Sequence, residues 1–334
     1  DVERSRGLGD VYKRQEQKLP FTKTLELPSF GATAWTACVE GQTEYLNCRA
    51  VNSRRIEVRG AYGLVVSVHA QLSTEVITAL SEGGIEQKLT TLGGVRRAAT
   101  LEKLVTIEGA LTFPKPPAAI LDITGTAEVR ELKRMQGKAV AKGTLRALCA
   151  WRAEGDAALL SQTAELPFHQ IVDVEGLSED CQCLCTLAPV GFAAAEGETA
   201  EDGSASTTLT ATALLRLSGW RPYQLQCVAD AFSTRFAAEV TPQTIATEGL
   251  LCTLDETTVL RGSGPLPDAG AHILACFASF GPVSLTRGEG RAALTARAVV
   301  SAFAENTLGE IECYEKALDY ALPLPCLLYT SPSP

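Results

Sequence analysis

Residues 119–151 read AILDITGTAEVRELKRMQGKAVAKGTLRALCAW, and apolar side chains recur in them at every second position. The first half places on one face the residues Ala119, Leu121, Ile123, Ala127 and Val129. After a polar turn at Lys133–Lys138, the second half does the same with Ala139, Ala141, Leu145, Ala147, Cys149 and Trp151. A period of two is that of a half-buried strand. The stretch therefore predicts a long antiparallel hairpin with one buried face.

The same alternation occurs on both sides of this stretch. It recurs from Leu209 to Leu217, and in the run from Arg54 to Val68 it places on one face Ile56, Val58, Tyr62, Leu64, Val66 and Val68. Short stretches such as Ser73–Gly83 suit one helical turn or two. Strands joined by short polar turns, without a βαβ rhythm, predict an all-β protein of tandem antiparallel β-sandwich or open-barrel repeats with little helix.

An internal repeat runs along the chain. The segment from Lys18 to Leu27 matches the segment from Glu165 to Val174, and Ala317–Leu324 is a degenerate third copy. Two further elements recur in the same order, Leu72-Ser73-Thr74 against Phe232-Ser233-Thr234 and Gly137-Lys138-Ala139-Val140 against Gly290-Arg291-Ala292-Ala293. The repeat predicts the C-terminal part of a first unit at 16–87, a complete unit at 88–240 and the N-terminal part of a third at 241–325.

The aromatic anchors of the three copies are Phe21, Phe168 and Tyr320. They could contact a partner, but the same position recurs in each unit, and this favours packing in the core.

Both ends of the chain resemble translated sequencing adapter. Residues 10–15 read DVYKRQ, the translation of GAT GTG TAT AAG AGA CAG, and residues 326–331 read CLLYTS, the translation of the opposite strand. Two ordinary disordered tails are the alternative. We therefore expect the domains to lie within 16–325, with 1–15 adapter-derived or disordered and 326–334 an adapter-derived tail.

Composition narrows the classes of function. The formal net charge is −9, and an acidic chain without a basic patch argues against a nucleic-acid partner. No run of about 18 apolar residues predicts a membrane span. The spacing of Cys181, Cys183 and Cys185 fits no zinc knuckle, and Cys149, Cys227, Cys252 and Cys276 lie in apolar runs where a thiol fills core space. Reduced structural cysteines and a cytosolic location are expected, with disulfides or a metal as alternatives.

At three places the sequence resembles the SPOCS domain of SipL-like spore coat assembly proteins in clostridial spore formers. The first is the strand opener Leu-Pro-Phe at Leu19 and Leu166, followed after the second copy by VDVEG at 172–176. The second is AVNSRRIEVRG at 50–60, similar to the family's Asn-x-Arg-Lys strand, and the third is ADAFST at 229–234. The resemblance covers nearly all of 16–325, but the Asn-x-Arg-Lys strand is not recognisable in the unit that contains Trp220 and Arg221.

The resemblance implies a non-enzymatic, all-β module in the mother-cell cytoplasm, at the forespore surface or spore coat. Such a module helps attach the coat by binding a coat morphogenetic ATPase. Many members of the family also end in a LysM domain, a module associated with peptidoglycan. This sequence contains no LysM domain, so peptidoglycan would be reached only through a domain outside it.

Residues that could carry chemistry are scattered. His69, His169 and His272 lie in separate segments, and no nucleophile elbow, phosphate loop or zinc-protease motif occurs. We therefore predict no enzyme activity, no catalytic or metal site and no cofactor.

The one local basic cluster is Arg54, Arg55 and Arg59, on a strand of an acidic protein. It could dock an acidic partner, because guanidinium groups bind carboxylates bidentately. The default interpretation of such a cluster is a solvated strand face, balanced here by Glu57 and Glu75. The leading interpretation is a protein-binding scaffold of spore coat assembly, and the alternative is a cell-envelope carbohydrate-binding or adhesive β module.

Overall fold

The computed structural model describes residues 20–27, 34–52, 55–81, 83–156, 158–195, 197–201, 203–235, 237, 239–245, 247, 259–265, 271–280, 283–288 and 291–324. Of these residues 74% lie in strands and none lies in a helix, and no sheet closes into a barrel. The prediction of an all-β, antiparallel protein is confirmed. Residues 72–81 have no helical turn, so the helical reading of Ser73–Gly83 is wrong.

The strands, in chain order, are β1 (Ala34–Asn52), β2 (Arg55–Gln71), β3 (Ile85–Phe113), β4 (Pro117–Met135), β5 (Lys138–Ala153), β6 (Leu159–Asp173), β7 (Gln182–Ala194), β8 (Glu198–Thr199), β9 (Ala205–Ser233), β10 (His272–Phe280), β11 (Ser284–Gly288), β12 (Arg291–Glu305) and β13 (Ile311–Leu324). They fall into two compact units. The larger comprises Gly93–Gln224 and the described part of Ile245–Pro334, and the smaller comprises the described part of Gln15–Leu92 with Leu225–Thr244.

A β-sandwich forms the centre of the larger unit. One of its sheets has the order β4-β5-β6, and the other has the order β3-β9-β7 with β8 paired to β9. Both sheets contribute to one buried cluster, because alternate residues of β3, β5, β6 and β9 point between them. The largest fully buried side chains are Trp151, Phe113, Leu111, Leu145, Leu166, Leu177, Leu209, Leu215 and Leu217.

The hairpin predicted at 119–151 is β4–β5. Met135 lies opposite Lys138, so the turn is only Gln136 and Gly137, and Gly137 supplies the positive φ of 70° that such a tight turn needs. The polar stretch before the turn is therefore still strand: Lys133 pairs with Val140. Charged residues extend a strand here because their side chains can reach solvent.

Burial in β5 follows the predicted alternation, with Ala139, Ala141, Leu145, Ala147, Cys149 and Trp151 all buried. The Trp151 indole packs edge-on against Phe113, with ring centroids 4.9 Å apart and an interplanar angle of 63°. Burial, followed by the nearby charge of Asp122, raises the pKa of the Cys149 thiol to about 12. Cys149 is a core filler, as predicted.

The sheet of β10 to β13 repeats the sheet β4-β5-β6. Strands β10 and β11 follow one another along one edge of β12, as β4 lines one edge of β5, and β13 pairs with the other edge as β6 does. Phe168 lies opposite Gly143, and Tyr320 lies opposite Ala296. The repeat seen in the sequence therefore extends to the pairing register of these strands.

In the smaller unit, β1 and β2 form a two-stranded antiparallel sheet. Its register runs from Ala34 opposite Gln71 to Asn52 opposite Arg55. The expected apolar face is present, but its large side chains are exposed. The prediction of one buried face is therefore wrong for this hairpin, since Ile56, Val58 and Tyr62 are 71%, 53% and 53% exposed.

The three aromatic anchors also differ in burial. Phe168 is buried, so core packing is confirmed there, and Tyr320 is partly buried. Phe21 is 65% exposed, so the prediction of core packing is wrong for the first copy. Phe21 contacts only the edge of Tyr62 among the aromatic rings described, with centroids 6.0 Å apart.

Candidate binding surface

The most exposed apolar surface of the smaller unit is one side of the β1–β2 hairpin. Residues directly opposite in an antiparallel pair share a face, and so do alternate residues along a strand. Val39 lies opposite Val66, and Trp35 lies opposite Ala70. The surface, here called the hairpin face, consists of Trp35, Val39, Ile56, Val58, Tyr62 and Leu64, with Val66 and Val68 partly buried between them.

The predicted arginines lie at the end of this hairpin near Asn52 and Arg55. Arg55 and Arg59 are both exposed on β2 and share the side opposite the hairpin face. Arg59 Nη2 lies 2.7 Å from Glu57 Oε1, so this guanidinium is ion-paired within its own strand. Arg49 is exposed on the adjacent part of β1. Arg54 lies outside the described residues.

The chain contains a buried counterpart of this hairpin in β7–β9. Each hairpin follows its copy of the aromatic anchor, Phe21 or Phe168, by a connection of similar length. In β7–β9 Gln182 lies opposite Trp220, and in β1–β2 Ala34 lies opposite Gln71. Tyr62 and Leu64 of β2 are 53% and 36% exposed, whereas Ala211 and Ala213 of β9 are fully buried. The two hairpins share the alternating pattern of apolar residues but differ in how deeply those residues are buried.

The β7–β9 hairpin is buried because it covers the β4–β5 side of the opposite sheet. The Phe192 ring lies against Gly125 of β4, where an added Cβ would come within 2.7 Å of the ring. At the other end, Arg134 Nη1 donates a hydrogen bond to the Cys181 carbonyl oxygen at 2.5 Å. From Cys181 to Phe192 the hairpin therefore runs along β4 from the C-terminal end of β4 towards its N-terminal end.

A second exposed apolar surface lies on the sheet of β10 to β13. It consists of Ile273, Cys276, Phe280 and Leu285, and is here called the sheet face. Their partners on the same side of β12 are Ala304 and Ala298, which are buried, and Ala302 and Leu294, which are partly buried. By the repeat, Ile273, Phe280 and Leu285 correspond to Ile120, Ala127 and Leu132, which pack against the core of the sandwich. Cys276 is therefore exposed, and the prediction that it fills a core is wrong.

Among the described residues, the segment 259–265 covers the β13 side of this third copy. Gly262 packs against Leu318 as Gly109 of β3 packs against Leu166, since an added Cβ would reach 2.7 Å and 2.8 Å from the two leucines. Lys316 Nζ donates to the Ser263 carbonyl oxygen. The segment 259–265 thus takes the place of β3 over the third sheet, and the sheet face lies on the β10–β11 side.

Two polar clusters were not found from the sequence. Ser178, in the loop after β6, bonds to Asp180, lies 3.2 Å from Cys181 Sγ and accepts from Arg221. The hydrogen bond from Ser178, assisted by Arg221, holds the pKa of the Asp180 carboxyl below its ordinary value. Arg221 is distant in sequence and carries no local signal. The cluster fastens the connection between β6 and β7 to β9.

The other cluster lies in a shallow depression between β11, β12 and β13. Arg297 binds Asp319 through both carboxylate oxygens, at 2.6 and 3.2 Å, across paired strands. This hydrogen bonding lowers the pKa of Asp319, so the carboxylate stays ionised at neutral pH and is a poor general acid. The arrangement is suited to holding the two strands together.

The histidines lie on three different strands, His69 on β2, His169 on β6 and His272 on β10, and each is exposed. Within the described ranges, no group of three or more His, Cys, Asp or Glu side chains is placed to hold a metal ion. Cys149, Cys181, Cys183 and Cys185 are free thiols. In the same ranges no helix is long and apolar enough to cross a membrane. Within the described residues, these observations leave one feature without a role: the two exposed apolar surfaces, the hairpin face and the sheet face.

Comparison with known proteins adds no relative: no protein-family model, no curated protein and no solved structure matches the chain.

Proposed function

We propose that this chain is a non-enzymatic protein-binding scaffold of spore coat assembly, which acts in the mother cell by binding a coat morphogenetic ATPase. The motifs at 19–21, 50–60, 166–176 and 229–234, similar to those of the SPOCS family, support the proposal. The observation that carries it is the exposed hairpin face, with Arg49, Arg55 and Arg59 exposed on the other side of the same two strands. Exposed aromatic and branched side chains, and exposed arginines, are both typical of protein interfaces.

The hairpin face and the arginines would contribute to binding in different ways. The hairpin face would supply most of the binding free energy, because its aromatic and branched side chains lose contact with water on docking. The arginines would orient an acidic partner, since Arg55 and Arg59 lie on one side of β2. Peptidoglycan contact would require a LysM domain outside this sequence.

The test is a pulldown of the purified coat morphogenetic ATPase with the immobilised chain. We expect the double variant Arg55→Glu/Arg59→Glu to weaken retention at least tenfold. Arg130→Glu is the matched control, because Arg130 pairs with Glu128 two residues away on an exposed strand, as Arg59 pairs with Glu57. No retention by the unmodified chain, or equal losses in both variants, would contradict the proposal.

A carbohydrate-binding or adhesive module is the second candidate, because Trp35 is 61% exposed and the Phe21–Tyr62 pair also faces solvent. Sugar rings stack on such aromatic faces. Titration with cell-wall polysaccharide would then change tryptophan fluorescence in the unmodified chain and not in Trp35→Ala. An unchanged spectrum would remove this candidate.

A further inference from the structure

We draw no further inference here: the strongest candidate, the apolar patch of Leu184, Ala188 and Leu214 on the outer side of the sheet β3-β9-β7, is a sheet face of the complete repeat unit, and nothing in the described part of the chain shows what covers it.

Discussion

Gly143 tests how closely β4 and β6 approach β5. It lies in the middle of β5, opposite Phe168, on the alternation that buries Ala141 and Leu145. A Cβ added there would overlap the Glu128 carbonyl oxygen and come within 2.7 Å of the Phe168 ring. The first obstacle is backbone, so rotation of a side chain cannot relieve it. Gly143→Ala must therefore shift β4, or lose the packing of Phe168.

The expected cost follows from two opposing effects. Overpacking of this kind costs about 1–3 kcal/mol, whereas alanine is favoured over glycine in a strand by roughly 0.5–1 kcal/mol. Contact with a backbone oxygen places Gly143 at the upper end of the first range. We expect Gly143→Ala to lower the free energy of unfolding by about 2 kcal/mol.

The assay is urea unfolding followed by tryptophan fluorescence, to which the buried Trp151 contributes. A loss of about 2 kcal/mol moves the midpoint by about 1 M urea at an ordinary slope. Gly191→Ala is the control, because Gly191 also lies in a strand of the sandwich and an added Cβ there meets nothing within 4 Å. Equal midpoints for the two variants would refute the reasoning.

Two further predictions concern titratable groups. Burial raises the pKa of the Cys149 thiol to about 12, so in the folded chain at pH 8 this thiol should resist iodoacetamide while the exposed Cys48 reacts. Both thiols should react in urea. Equal reaction rates of the two thiols in the folded chain would contradict this prediction. Arg297 lowers the pKa of Asp319, so the stability that this pair adds is present above the ordinary aspartate value of about 4 and is lost as the pH falls through the lowered value. The melting temperatures of the unmodified chain and Arg297→Met should therefore differ at pH 7 and converge at low pH, and a constant difference would count against the pair.

The strands themselves could be predicted from the sequence, because side-chain alternation is a property of the strand alone. The alternation at 119–151 predicted β4 and β5, and the repeated anchor predicted that Phe168 and Tyr320 hold matching positions. Of the candidate site, the exposed side shared by Arg55 and Arg59 followed from their spacing in the same way.

Contacts between segments distant in sequence could not be predicted. Arg221 reaches Ser178 across 43 positions, and nothing near either residue signals the other. The turn after β4 was placed too early, because the charges of Lys133 and Arg134 resemble those of a loop until pairing shows that both lie in a strand.

The amino-acid pattern alone thus determined where the chain is extended and, in β5, which side chains share a face. In β4 the predicted face is wrong for Leu121, which is 46% exposed, because a bulge brings Ile120 instead to the side of Ile123. Only the tertiary structure decided which of those faces is buried. Tyr62 of β2 and Ala211 of β9 both lie on the apolar side of an alternating strand, yet one is 53% exposed and the other fully buried. The reason is physical: a strand sets the direction of its side chains by its own geometry, whereas burial requires a second sheet packed about 10 Å away.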